Sequence, residues 1–468
     1  MRECLCLITG HMAKPRLTKV MESLGRDAFD WTIVDAGVKV AALMTEEIIR
    51  RRVSLPEGTS RVILPGRCRA NVDVLSRHFG VPVARGPDEI VDLPAFFGRG
   101  AQPPDLSRHD LTLFAEIVDA PHLAPAEILA RAAALRTKGA DVIDLGGLPD
   151  TPFPHLEATV GLLKGEGFRV SVDSFSRDEL ERGAKAGADF LLSLNEDTLE
   201  LAFDHPAVPV IVPTRPGDMA SLIRAAERLA AAGKPFMADP ILEPIHFGFT
   251  ASIARYAEFR RLMPQAEMLM GTGNLTELTD ADSLGVTAVL LGICSELSIR
   301  NVLLVQVSPH TRRTIEEHDA ARRLMYAAKM DDALPKGYGA ALLALHDKRP
   351  FPNAPADIAA VAAQVRDANF RIEVAEDGIH VYNRDLHVVD TDALAFFPKL
   401  GVEADGGHAF YLGQELAKAE VAWRLGKRYV QDEPLAWGCA ADPPAAEDST
   451  VFKEAGHTLR AKRYKDGA

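Results

Sequence analysis

Cysteine is scarce and unpatterned: Cys4, Cys6, Cys68, Cys294 and Cys439 make an odd count of five with no Cys-x-x-Cys spacing. That usage argues against a disulfide frame or a zinc ribbon and fits reduced thiols. Cys4 and Cys6 alternate around Leu5 in a strand-like run, so both side chains share one face and read as core. Basic residues are in deficit, 53 Lys and Arg against 66 Asp and Glu, for a formal net charge of −13. A surface for nucleic acid or anionic membrane needs the opposite balance. No apolar run reaches membrane-spanning length, and no apolar signal core follows basic residues at the N-terminus. The expectation is a cytoplasmic protein with small-molecule partners, no nucleic acid and no membrane.

What is present is 468 residues of ordinary globular composition, 47% hydrophobic and 25% charged, enough for about three domains. Residues 1–100 alternate short strands (ECLCLIT, WTIVDA, RVILPG, VPVARGP) with helices around 15–24, 45–52 and 71–79. This predicts a small open-sheet α/β domain of flavodoxin-like type. The Gly- and Pro-rich stretch 96–110 reads as a linker. From 111 apolar runs recur every 20–28 residues: TLFAEIVDA (112–120), DVIDLGG (141–147), RVSVDS (169–174), FLLSLN (190–195), PVIVPT (209–214), PFMADP (235–240), EMLMGTG (267–273) and TAVLLG (287–292). Amphipathic stretches such as 125–139 and 218–234 separate them. Eight strands, each followed by a helix, predict an α/β fold with a central (β/α)8 TIM barrel over 111–332. Residues 335–468 predict a small α+β domain, with Asp377-Gly378 as a hairpin turn and a helix over 413–427.

Asp144, Asp173, Asn195 and Asp239 fall at or just beyond the ends of these apolar runs, where a parallel barrel carries its chemistry. A carboxylate accepts two N–H donors side by side, so such a ring of groups suits a flat heterocycle with amidine-like edges. Each residue also has a plainer reading. A strand-terminal Asp caps the next helix for about 1 kcal/mol, although Ser174 and Ser176 serve equally well beside Asp173. Asp144 sits in a Gly-rich corner that it would tie down.

The runs KGADVIDLGG (138–147), SVDSFS (171–176), AGADFLLSLN (186–195) and ADPILEP (238–244), in that order, resemble the pterin-binding barrels: dihydropteroate synthase and the pterin-dependent methyltransferases. The resemblance covers about 111–295. It implies that Asp173 binds the pterin ring, that Asn195 or the nearby Ser193 hydrogen-bonds its edge, that Asp239 accepts from the 2-amino and N3 positions, and that Asp144 supports them. Dihydropteroate synthases end strand seven in Gly-x-Ser-Arg-Lys and strand eight in Arg-x-His; here GTGNLTEL (271–278) and TAVLLG stand instead. Substitutes for those cations, which act on the departing pyrophosphate, are the Gly271-Thr272-Gly273 loop and Arg177, Arg215 or Arg300. Gly-x-Gly-Asn (271–274) is closer to the methyltransferase pattern, which gives Asn274 a place at the pterin under either activity.

Residues 1–95 and the tail 408–438 resemble dihydropteroate-synthase-related proteins of tetrahydromethanopterin biosynthesis. This implies a transferase joining a dihydropterin methyl pyrophosphate to an arylamine, a ribofuranosyl-aminobenzene phosphate. Asp239 and Asn274 would be its catalytic residues, Mg2+ an aid to the leaving group, and a homodimer the default assembly. The alternatives are methyl transfer with a corrinoid protein and a non-catalytic pterin-binding subunit. His380, His387 and His408 lack metal-ligand spacing, with His380 and His387 expected on opposite faces. His310 and His318 read as surface or satisfied core, and Arg312, Arg313, Glu316 and Glu317 as a solvated helix face.

Overall fold

The computed structural model describes residues 3–25, 29–39, 41, 44–88, 90–98 and 104–442; the middle of the expected linker and the tail beyond 442 lie outside them. The chain divides into two compact units, Met1–Pro103 with Leu345–Ala436, and Pro104–Ala344 with Trp437–Asp442. The N-terminal sheet and the C-terminal α+β segment thus share one unit.

In that unit four parallel strands, β1 (Glu3–Thr9), β2 (Phe29–Asp35), β3 (Arg61–Leu64) and β4 (Val83–Arg85), lie in the order β2-β1-β3-β4. Alternation sends Cys6, Ile8, Val62 and Leu64 to one face and Leu5, Leu7 and Ile63 to the other, each with its own apolar cluster. Both faces are covered, as parallel sheets require. The later segment of the unit adds an antiparallel three-stranded meander.

The other unit is a closed parallel barrel: β5 (Thr112–Ile117), β6 (Val142–Gly146), β7 (Arg169–Asp173), β8 (Phe190–Leu194), β9 (Val208–Ile211), β10 (Met237–Ala238), β11 (Glu267–Gly271) and β12 (Asn301–Leu304), with β12 pairing back to β5. One parity of the strands packs outward against the helices in the main core, including Ile143, Leu145, Val170, Val172 and Met268. The other parity fills the barrel floor with Phe114, Val142, Phe190, Leu192, Val210, Met237 and Leu269.

Six of the barrel strands lie within the runs read from the sequence and β9 begins one residue before its run; the eighth run is not a strand. TAVLLG falls inside a helix, Ser283–Glu296, and β12 is the four-residue NVLL that follows. The helix buries Thr287, Leu290, Leu291 and Cys294, an i, i+3, i+4, i+7 stripe that marks helical period. A continuous apolar run hides that stripe from a reader looking for strands. Arg322, in the closing helix Thr314–Met330, ties the seam. It donates to Leu111 O at 2.7 Å and Gly139 O at 3.1 Å and pairs with Asp141 and Asp319.

The meander comprises β13 (Arg371–Ala375), β14 (Gly378–Tyr382) and β15 (His387–Asp390). Ile372, Val374, Ile379 and Val381 face helix Gly406–Leu425 through Leu412, Leu416 and Ala419. Gly378 has φ 139°, and a Cβ there would lie 2.8 Å from Asp390 O, so the hairpin needs glycine.

Candidate functional site

The inward parity that builds the barrel floor continues upward into acids. Two residues beyond Phe114 stands Glu116; two beyond Val142 stands Asp144; β7 contributes Ser171 and Asp173; two beyond Met237 comes Asp239. Neighbouring strands set their levels. Glu116 is in register with Asp144, Asp144 with Ser171, and Gly146 with Asp173. Glu116 fits under the rim because residue 146 has no side chain; a Cβ there would overlap the Glu116 carboxylate.

Asp144 is wholly buried, receives the Ser171 hydroxyl on Oδ1, and keeps Oδ2 without a partner. Burial, then the charges of Asp173 and Glu116, hold its acid well above the usual carboxylate range. Asp173 is pushed up to about 7 by burial and by the charges of Glu116 and Asp239. Asp239 is pushed up to about 6 by burial, against the lowering effects of the Tyr256 hydroxyl, the Ile241 amide and Arg255. Glu116 is raised by burial and by Asp119. Near neutrality this well is a set of crowded acids that share protons, able to accept from several N–H groups and to donate where an acid remains protonated.

Asp239 is the best anchored of the four, with Tyr256 Oη at 2.5 Å and Ile241 N at 2.7 Å, both on Oδ1. Tyr256 lies in helix Phe249–Leu262, whose Arg255 reaches back to Ile241 O at 3.1 Å and Glu243 at 2.9 Å. Asp173 is not the helix cap: Ser176 accepts from Glu179 N at the start of Arg177–Lys185. Ser174 instead holds the buried Glu179 at 2.6 Å.

Asn195 follows β8 and spends its carboxamide oxygen on Asp197 N at 2.9 Å, while its NH2 group makes no hydrogen bond among the described residues. Asn274, in the short helix Gly273–Thr276 after β11, donates its NH2 to Leu242 O at 2.8 Å and keeps its oxygen. The Gly271-Thr272-Gly273 loop is less open than the sequence implies. The Thr272 amide is consumed by Leu303 O at 2.8 Å, and its buried hydroxyl meets His318 at 3.1 Å. Arg177 and Arg215 are exposed, one at the start of the helix after β7 and one in the loop after β9. Arg300 pairs with Glu267 at the entry to β12 and β11, the end of the barrel opposite the acids. The cation that acts on Asp239 is Arg255.

Sequence reading missed Glu116, Ser171, Arg255 and Tyr256. The first two were visible as polar residues at every second position inside apolar runs; the helical pair carries no such signal. Two further expectations are corrected. His380 and His387 share a face, Nδ1 to Nε2 at 3.0 Å, because the hairpin register sets them on adjacent strands, and Asp377 accepts from His380 Nε2 at 2.8 Å. Glu317 is buried rather than solvated. His318 is satisfied core: burial takes its imidazole down to about 4, and its Nδ1 contacts Thr314 O at 2.6 Å. Among the described residues no group of three or more His, Cys, Asp and Glu has metal-holding geometry. Among those residues, too, no helix is long and apolar enough to cross a membrane.

Residues 3–88 match the model of a family of unknown function, DUF6513. Over 372 residues the chain is 30% identical to the uncharacterized protein MJ0107 of Methanocaldococcus jannaschii, with 69% of each chain covered. Solved structures similar to it include dihydropteroate synthases. That of Vibrio fischeri is 14% identical with a TM-score of 0.39, over 49% of this chain and 96% of that one. That of Yersinia pestis with a sulfonamide drug is 18% identical with a TM-score of 0.38, over 48% and 96%. That of Thermus thermophilus in complex with 6HMPPP is 22% identical with a TM-score of 0.36, over 49% and 96%.

Proposed function

The chain belongs to the family of the protein MJ0107, and from the acid well of its barrel we propose that it is a pterin-binding transferase of the dihydropteroate synthase type. The observation that carries this reading is the convergence of Glu116, Asp144, Asp173 and Asp239, each close enough to feel another's charge, on one well in which Asp144 Oδ2 lacks a partner. Crowded acids ask for a ligand rich in N–H donors, and a pterin offers the 2-amino group and N3–H on one edge.

Asp239, oriented by Tyr256, accepts from that edge, and Asp173 accepts from the ring while exchanging a proton near neutrality. Asp144, kept protonated by its surroundings, donates to or supports the ring from below. The NH2 of Asn195 and the oxygen of Asn274 close the sides. The reaction is a displacement at the pterin C6-methylene: its bond to oxygen breaks as pyrophosphate leaves, a bond to an arylamine nitrogen forms, and the amine releases a proton. In the finer form the acceptor is a ribofuranosyl-aminobenzene phosphate and the product leads to tetrahydromethanopterin. Arg177 and Arg215, exposed on the loops after β7 and β9, are the cations offered to the leaving group.

The test is release of pyrophosphate from 6-hydroxymethyl-7,8-dihydropterin pyrophosphate on adding arylamines one at a time. Release that depends on Asp239 supports the transferase and identifies the acceptor. Pterin binding without release moves the assignment to methyl transfer with a corrinoid partner or to a non-catalytic pterin-binding subunit.

A further inference from the structure

The unit without the barrel contains a cavity of about 260 Å3 at the carboxyl ends of its parallel strands. Its position follows from topology. The order β2-β1-β3-β4 means that the chain leaves β1 towards one edge and returns to β3 on the other side, so the connections diverge between β1 and β3. Open parallel sheets place ligands in the crevice beyond strand ends at such a reversal. Here the ends of β1 and β3, at Leu7–Thr9 and Ile63–Pro65, line it.

Size and lining define the occupant. An apolar cavity of about 150 Å3 accepts benzene, so this one has room for a fused ring or a ring with a substituent. Its walls are mainly apolar, with Leu7, Leu17, Ile63 and Leu93 from the buried core on one face of the sheet and Met12 half-buried beside them; Thr9 and the acid Asp88, itself engaged by a neighbour, complete the polar part of the lining. Three cations reach the lining, but two are already engaged: Arg67 by Glu433, and Arg371 by Asp367 at 2.8 Å. The exposed Lys39 ammonium has no hydrogen-bond or ion-pair partner among the described residues. One uncompensated cation at the lip of an apolar slot matches one negative charge on an otherwise apolar guest.

We propose that this cavity is a second small-molecule site, taking a flat aromatic ring that bears a single anionic group, with the ring between the ends of β1 and β3 and the anion at Lys39. It is independent of whatever the barrel binds.

The experiment is a fluorescence titration of the full chain with 8-anilinonaphthalene-1-sulfonate, and with N-phenyl-1-naphthylamine as its uncharged counterpart. Wild type is expected to show one saturable sulfonate site. Met12→Trp, which fills the slot, removes it. Lys39→Glu, a surface change that leaves the core untouched, weakens the sulfonate by about three- to fivefold, the scale of one lost partly exposed charge contact, and leaves the uncharged probe unchanged. AMP and salicylate, added as competitors, distinguish a nucleotide from a simple aryl acid as the natural guest. Sulfonate binding that is absent, or indifferent to both substitutions, overturns the proposal, as does a Lys39→Glu effect that is equal for the charged and the uncharged probe.

Discussion

Glu116 and Asp144 stand in register on adjacent strands of the barrel, both on its inward parity, with the bare backbone of Gly146 making room for the Glu116 carboxylate. Two acids that close in a buried well cannot both ionise cheaply, so the pair retains protons that exposed carboxylates lose. A folded protein tolerates such a cluster where it has a use for it.

Asp173 and Asp239 have folded-state acids raised to about 7 and about 6. Below about pH 4 the folded and unfolded chains both hold these protons and the stability they represent is fully present. As pH rises towards 7 the unfolded chain releases protons that the well retains, and that stability is lost. Asp173→Asn removes one such group, so the variant gains on wild type by roughly 2–4 kcal/mol between pH 4 and pH 7, since each tenfold difference in proton affinity between the folded and unfolded chains is worth about 1.4 kcal/mol. Urea denaturation of both proteins at several pH values checks it; parallel curves would contradict it.

Tyr256→Phe deletes the hydroxyl that orients Asp239. The buried ring remains, so the loss of stability should be modest, about 1–2 kcal/mol. Pterin affinity should fall by about tenfold, equivalent to about 1.4 kcal/mol, because Asp239 loses its fixed direction. Thermal melts and calorimetry separate the two effects.

Gly146→Ala places a methyl group where the Glu116 carboxylate now lies. The acid must swing away, at a cost of about 1–3 kcal/mol for an overpacked site. Ligand binding should weaken far more than in Gly161→Ala, where nothing lies within 4 Å of an added Cβ. Equal binding by the two variants would remove Glu116 from the site.

Arg322→Ala should be the most damaging of these substitutions to the fold. The guanidinium is almost fully buried and engages Asp141, Asp319 and two carbonyl groups across the barrel seam. Removing it leaves these acceptors without their cation, at a cost of about 3–5 kcal/mol. Chemical denaturation monitored by circular dichroism reads this directly, and a loss under about 1 kcal/mol would contradict the assigned role.

The barrel was legible because most of its strands are apolar runs at regular spacing, and DVIDLGG, RVSVDS and PFMADP each carry an acid at or near the strand end. Asp144, Asp173 and Asp239 stood out for the same reason. Glu116 was passed over because it sits inside its run, although its two-residue offset from Phe114 places it on the inward face. β12 was missed because four residues give a weak strand signal next to a fourteen-residue apolar helix. Tyr256 and Arg255 reach the site through the tertiary packing of a helix, and no local pattern reports that. His380 and His387 met because hairpin register, not their separation in sequence, decides cross-strand neighbours.

Calorimetric titration of the intact chain with 6-hydroxymethyl-7,8-dihydropterin, repeated on Asp239→Asn, tests the central claim most directly. The account predicts one saturable site in wild type and at least a tenfold loss of affinity, about 1.4 kcal/mol or more, in the variant, because one carboxylate oxygen becomes a donor facing N–H groups. No binding by wild type, or equal binding by the two folded proteins, would contradict it.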